Sequence, residues 1–127
     1  MSNASNIEIG QQIVALSNAG KGEEAVERFY DEKIVSIEGQ DGEAGPARMD
    51  GIEAVKQKGA WWYENHEIHE STATGPYAGL RDDQFVIRFN LDTTFKPTGE
   101  RGAMEEVGLY TVKNGKVVQE EFLYLMG

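Results

Sequence analysis

The chain has 127 residues, of which 22 are acidic, 12 basic and none cysteine, giving a formal charge of −10. That length fits one domain with enough interior to need no disulfide or metal staple. The missing cysteines remove disulfides, thiolate nucleophiles and cysteine-ligated zinc or iron–sulfur centres, no apolar run approaches the ~20 residues of a membrane span, and the acidic balance opposes binding to phosphate backbones. The polar start, Met1 to Asn6, does not read as a signal peptide. The expectation is therefore a single cytoplasmic domain over residues 1–127, with neither nucleic acid nor membrane as partner.

The first segment reads as a helix. Ile9, Ile13 and Leu16 recur at helical spacing, and Asn18-Ala19-Gly20 supplies a stop. A second helix is predicted from about Glu23 to Asp31, with Ala25, Val26, Phe29 and Tyr30 as its stripe and Glu23 and Glu24 suiting its N-terminus. Ile34 to Glu38 reads as a short strand. Gly39 to Gly51, with four glycines and Pro46, reads as a long loop at a pocket mouth with room for a short edge strand. It lacks the Gly-Lys-Ser/Thr ending of a phosphate loop.

Asp50 is placed to cap a third helix, with Glu53 three residues on completing a capping box. Ile52, Val55, Gly59, Trp62 and Tyr63 share one face of it, whereas Trp61 falls half a turn from Ile52. Trp61 therefore packs on a loop or faces solvent, or else it lines a pocket or a subunit interface.

From Glu67 the periodicity changes. Glu67–Thr74, Gln84–Phe95, Gly102–Lys113 and Lys116–Leu125 read as strands, separated by Gly75-Pro76, Asp82-Asp83, Lys96-Pro97-Thr98-Gly99 and Asn114-Gly115. Helices followed by a run of antiparallel strands indicate an α+β domain with helices on one face of a sheet.

Asn114-Gly115 is a type I′ hairpin signal. An unbroken hairpin pairs Val112 with Val117, Tyr110 with Gln119, Gly108 with Glu121 and Glu106 with Leu123, which puts all eight residues on one face. Both faces of this hairpin mix polar and apolar residues. One face is then expected to meet the helices around a partly polar cavity, and the other to meet a second subunit. Glu106 and Glu121 would converge on the cavity floor beside Tyr110 and Gln119. The plainer alternative is two surface glutamates and a core tyrosine. Arg88, opposite in face to Ile87 and Phe89, is expected to pair with an acid on a neighbouring strand or across the subunit interface.

His66 and His69 flank Glu67. A strand through both sends them to opposite faces, and His66 is preferred for the pocket because it continues the apolar face of the third helix. The spacing is not that of a helical His-Glu-x-x-His site, and no metal is expected.

Three segments carry a family resemblance: Trp61-Trp62-Tyr63-Glu64-Asn65-His66-Glu67-Ile68-His69, Phe85-Val86-Ile87-Arg88-Phe89, and Glu106-Val107-Gly108-Leu109-Tyr110-Thr111-Val112 leading into Asn114-Gly115-Lys116-Val117 and Glu120-Glu121-Phe122. The chain resembles the SnoaL-like branch of the nuclear transport factor 2-like superfamily from about Ile7 to Leu125. The resemblance implies a cone-shaped α+β fold, three N-terminal helices packed on a strongly curved, mostly antiparallel sheet, and a homodimer through the outer sheet face. It also implies a pocket that in some members performs cyclase, isomerase or dehydratase chemistry. One departure stands out: where SnoaL-type cyclases resemble each other in an acid on the strand before the hairpin, this chain has Gly108, with Glu106 one same-face step away.

Two function classes follow. In the first, the domain binds a small apolar organic molecule and works on it by acid–base chemistry without a cofactor, with Glu106, Glu121 and His66 as catalytic candidates and Tyr110, Tyr30, Trp62, Gln119 and His69 as pocket residues. In the second, it is a non-catalytic ligand-binding or dimerisation module of the same fold.

Overall fold

The structure, a computed structural model, describes residues 3–42 and 45–125. The elements run α1 (Asn3–Asn18), α2 (Gly22–Phe29), β1 (Tyr30–Ile37), β2 (Arg48–Asp50), α3 (Ile52–Asn65), β3 (His66–Tyr77), β4 (Gln84–Phe95), β5 (Glu100–Lys113) and β6 (Lys116–Tyr124). The six strands form one sheet in the order β2-β1-β6-β5-β4-β3. Only β1 and β6 run parallel; every other neighbour is antiparallel. This is the expected cone-shaped α+β architecture, with the helices on the concave face.

α1 presents Ile9 and Ile13, one turn apart, to the sheet. Between them in approach is Gly10, where a Cβ would come within 2.9 Å of Pro76 and 3.2 Å of Phe85, so only glycine lets the helix sit this close. Its last residue, Asn18, accepts from the Ala73 amide at 2.7 Å and donates to the Ala73 carbonyl at 3.0 Å. That one side chain satisfies both backbone groups of Ala73 on the open edge of β3, where a further strand would otherwise bind.

α2 stops at Phe29, two residues before the predicted end. Tyr30 is already extended (φ −86°, ψ 137°) and pairs with Val117 of β6, so sheet pairing overrides the helical stripe. The expected Asp50 cap is also not made. Asp50 is the last residue of β2 and its carboxylate is held by Arg48 at 3.2 Å, while Gly51 (φ 95°) makes the turn into α3 with no side-chain cap. β3 continues through Gly75-Pro76, where a turn was expected, by shifting register between Thr74 and Tyr77.

The hairpin between β5 and β6 decides the inner face. Asn114 (φ 53°) and Gly115 (φ 76°) adopt the left-handed turn, and Lys113 faces Lys116 and Val112 faces Val117 as expected. The next pair is Thr111 with Gln119, which leaves Val118 as an extra residue on β6. This β-bulge slips every later pair by one, so the side chains of β6 exchange faces. Tyr110 pairs with Glu120, Gly108 with Phe122 and Glu106 with Tyr124.

The closed end of the cone is apolar. Ile34, Phe85, Ile87, Val112 and Val117 are almost wholly buried, with Ile13 and Ala25 from the helices over them. Each large side chain here contributes about 1.5–3 kcal/mol by leaving water.

Candidate functional site

At the wider end, α2, α3 and the inner faces of β1, β4, β5 and β6 enclose a cavity of about 450 Å³. The loop before β2 contributes Gln40, Asp41, Gly42 and Pro46 to its lining.

The pleat explains the floor. On β1 the alternation that buries Ile34 also turns Ser36 inward, and Glu38 follows in the same phase. On β6 the bulge turns Glu120, Phe122 and Tyr124 inward; on β5 the inward residues are Met104, Glu106 and Tyr110. From α3, Lys58 lies one turn from both Val55 and Trp62 and so enters from the helix's inward stripe.

These groups form one hydrogen-bonded chain. Lys58 Nζ donates to Glu38 Oε1 at 2.9 Å and to Ser36 Oγ at 2.6 Å. Ser36 Oγ donates to Glu120 Oε1 at 3.1 Å, and the Tyr30 hydroxyl donates to Glu120 Oε2 at 2.6 Å. The Tyr124 hydroxyl donates to Glu38 Oε2. Gly39 makes room for the Tyr124 ring, which a Cβ there would meet at 2.7 Å. Lys58 Nζ also sits 5.5 Å over the Phe122 ring. Glu120 is only 3% exposed, yet each of its oxygens is satisfied, which is the condition for a buried carboxylate to be tolerated.

Glu106 is different. It lies between Phe89 of β4 and Tyr124 of β6 across the sheet, and its carboxyl has no hydrogen-bond partner among the described residues. Burial first, then the nearby Glu38 and Glu120 charges, push its pKa up to about 7 against the opposing pull of Lys58. Burial also raises Glu120, with Lys58, Tyr30 and Ser36 pulling the other way. The hydroxyls of Tyr30 and Tyr110 are held well above the ordinary tyrosine range by burial and by Glu120, so both are protonated donors near neutral pH.

Gly108 is not open space. A Cβ there would meet the Tyr110 ring at 2.8 Å, so the ring leans over the position where the resemblance led one to look for an acid. Glycine at 108 is what allows Tyr110 to fold across.

The residues singled out from sequence divide into two groups. Glu106, Tyr110, Tyr30 and Trp62 line the cavity together. Trp61, left open between solvent and pocket, joins the wall and reaches Phe95 with ring centroids 6.3 Å apart. Glu121 and Gln119 are corrected by the bulge: they sit on the outer face, opposite Leu109 and Thr111 on β5 and beside Ile37 and Val35 on β1. His66 does not reach the cavity either. Its ring stacks 4.5 Å from Trp62 and its Nδ1 is 2.8 Å from the Trp62 carbonyl oxygen, because the chain leaves the helix at His66 and turns it back on the last turn. His69 is exposed, with Nε2 2.7 Å from Thr94 Oγ1. Arg88 pairs with Glu105 of the neighbouring strand at 2.6 Å.

The sequence reading missed Glu120, Glu38, Ser36, Lys58 and Tyr124. Period-two alternation from Ile34 marks Ser36 and Glu38, and the helical stripe through Val55 and Trp62 marks Lys58. Glu120 and Tyr124 carry no such signal unless the bulge is known.

The SnoaL-like domain family matches residues 4–124 of this chain. Among solved structures, a Mesorhizobium loti protein named as a SnoaL-like polyketide cyclase, and in the same name as a carbohydrate phosphatase, is 45% identical. That match covers 92% of this chain and 97% of the other at a TM-score of 0.85. A Bacillus subtilis protein named as an isomerase shares 17% identity over 98% of this chain and 90% of its own, with a TM-score of 0.77. A Jannaschia protein named as a SnoaL-like polyketide cyclase shares 15% over 94% and 85%, with a TM-score of 0.71. The last two matches show the fold alone. No curated protein matches the sequence.

Proposed function

Because the chain belongs to the SnoaL-like family, whose fold encloses a small-molecule pocket, we propose that its cavity binds a small apolar organic molecule and moves a proton on it. Glu106 is the acid–base group. The observation that carries this reading is a carboxyl inside the cavity with no hydrogen-bond partner among the described residues and a pKa pushed up to about 7. A group with that pKa is available in both protonation states near neutrality, which suits it to isomerase-, cyclase- or dehydratase-type chemistry.

The rest of the floor supports it. Lys58 and Ser36 hold Glu120, and Glu120 in turn holds Tyr30. They are positioning residues that keep the Tyr30 hydroxyl in place on the cavity floor. The phosphatase half of the Mesorhizobium loti name finds little support in the cavity, whose single lysine among the described residues is already paired.

Carbon-13 NMR titration of the glutamate side chains tests the assignment. One resonance should titrate near pH 7 and vanish in Glu106→Gln with the fold retained. Titration of Glu106 near 4.5 overturns it. On any substrate found by screening, the same variant should lose turnover; an unchanged rate removes Glu106 from the chemistry.

A homodimer through the outer sheet face belongs to the same proposal. Val86, Val107, Leu109 and the 51% exposed Leu123 sit together there on adjacent strands, a patch suited to a second copy. Light scattering at micromolar concentration should give twice the chain mass, and Leu109→Asp should halve it. A monomeric wild type overturns this contact.

A further inference from the structure

The charges lining the cavity are unbalanced. Among the described residues, Glu38, Asp41, Glu106 and Glu120 face a single lysine, Lys58. That lysine is committed, with one hydrogen bond to Glu38 and one to Ser36 and its Nζ over the Phe122 ring. Both oxygens of Glu38 accept a donor, from Lys58 and Tyr124, and both oxygens of Glu120 accept one, from Ser36 and Tyr30. Glu106 accepts none from the described residues. A ligand reaching the floor therefore meets one unfilled carboxyl that has two like charges beside it.

A carboxylate or phosphate arriving there would add a further like charge and find no unpaired cation among the described lining residues to receive it. A neutral donor would satisfy Glu106 but leave the repulsion among the acids. A cation does both. The walls favour it as well: Phe89 and Tyr124 flank Glu106 across the sheet, and Trp61 and Trp62 enter from α3. Aromatic faces attract ammonium groups and also accept an apolar body.

Resting on the small-molecule reading above, we infer that the ligand class of this cavity is an organic amine: a protonated nitrogen carried on a compact apolar body, with the nitrogen held at Glu106 between aromatic side chains and carboxylate or phosphate ligands turned away. Glu106 would then recognise the ligand through its charge and exchange a proton with the nitrogen.

Three probes of equal bulk separate the parts of this inference: 1-adamantylmethylamine, 1-adamantylmethanol and 1-adamantanecarboxylate. Affinity is read at pH 7.5 by calorimetry and by fluorescence of Trp61 and Trp62, the only tryptophans, both of them in the wall. The ammonium should bind about tenfold tighter than the alcohol, and the carboxylate more weakly than either. In Glu106→Gln the margin of ammonium over alcohol should shrink to about threefold or less. Should the alcohol or the carboxylate match the ammonium on wild-type protein, the amine inference is overturned while the small-molecule reading stands. If none of the three binds, both fall together.

Discussion

The two ends of the cone are built from the same strands and obey different rules. At the closed end β1, β4, β5 and β6 supply Ile34, Phe85 with Ile87, Val112 and Val117 to one buried apolar cluster. Farther along the same inner faces, β1 supplies Ser36 and Glu38, β5 supplies Glu106, and β6 supplies Glu120 and Tyr124. On β6 the change from one regime to the other coincides with the bulge at Val118. The contrast shows how a small domain keeps a cavity with buried acids: the closed end provides the stability, and the open end holds its charges in a paired chain with one carboxyl left over.

The sharpest way to break this comparison is to injure the closed end. Phe85 is about 1% exposed and stacks 5.4 Å from Tyr110. Phe85→Ala should cost about 3–5 kcal/mol, read as a lower urea midpoint with unchanged slope. A loss below ~1 kcal/mol would mean that the closed end is not the stabilising part.

The next largest effect belongs to the paired chain. Lys58→Met removes the cation shared by Glu38 and Ser36 and leaves Glu38 partly buried with no positive partner. A loss of about 3 kcal/mol is expected, and replacement of Glu38 by Gln in the same chain should restore part of it. If the double variant is no better than the single one, the pair is not coupled.

Glu106 gives a pH test of comparable size. Its pKa rises from an ordinary 4.5 to about 7 on folding. The folded state therefore holds this proton more tightly than the unfolded chain. The resulting stability is fully present below about pH 4.5 and is lost as pH rises through about 7. At one pKa unit per ~1.4 kcal/mol the whole span is about 3 kcal/mol. Glu120 shifts in the same direction, so the informative quantity is the difference between wild type and Glu106→Gln. The variant should be the more stable of the two at pH 8 and lose that advantage near pH 5. A difference that does not change with pH would place Glu106 in water.

A smaller effect sits where the regimes meet. Gly108→Ala drives a methyl into the Tyr110 ring. About 1–3 kcal/mol should be lost by overpacking, with Tyr110 displaced into the cavity and probe binding weakened more than folding.

How much of this was legible in sequence follows the same division. The closed end was readable because its signals are local and repetitive: Ile9 and Ile13 on a helix, Ile34 on a short strand, Phe85 and Ile87 in alternation, and a turn at Asn114-Gly115 whose residue types require left-handed backbone. The open end was readable only in part. Glu106 and Tyr110 precede the turn on a regular strand, so simple alternation placed them correctly. Glu120 and Glu121 are adjacent and chemically identical, and a single inserted residue decides which one enters. Val118 resembles any other strand valine, so nothing local announces the bulge. The histidines were unreadable for a related reason: His66 folds back onto Trp62 where α3 becomes β3, and β3 shifts register between Ile68 and Glu70, at His69.

The smallest expected effect completes the comparison. Arg88 and Glu105 approach to 2.6 Å, closer than the 2.9 Å of Lys58 and Glu38. Distance alone would rank the outer pair higher. It lies on the outer face, however, with side chains 44% and 34% exposed against 14% and 26% for the inner pair. Water and salt screen the outer charges before and after folding, and holding two long side chains in one geometry costs entropy. Arg88→Met, measured in dilute protein so that subunit contacts do not intervene, should leave the urea midpoint unchanged within error, whereas Lys58→Met moves it plainly. Equal losses from the two substitutions would show that burial does not separate the two pairs, and the distinction between the inner chain and the outer surface would have to be abandoned.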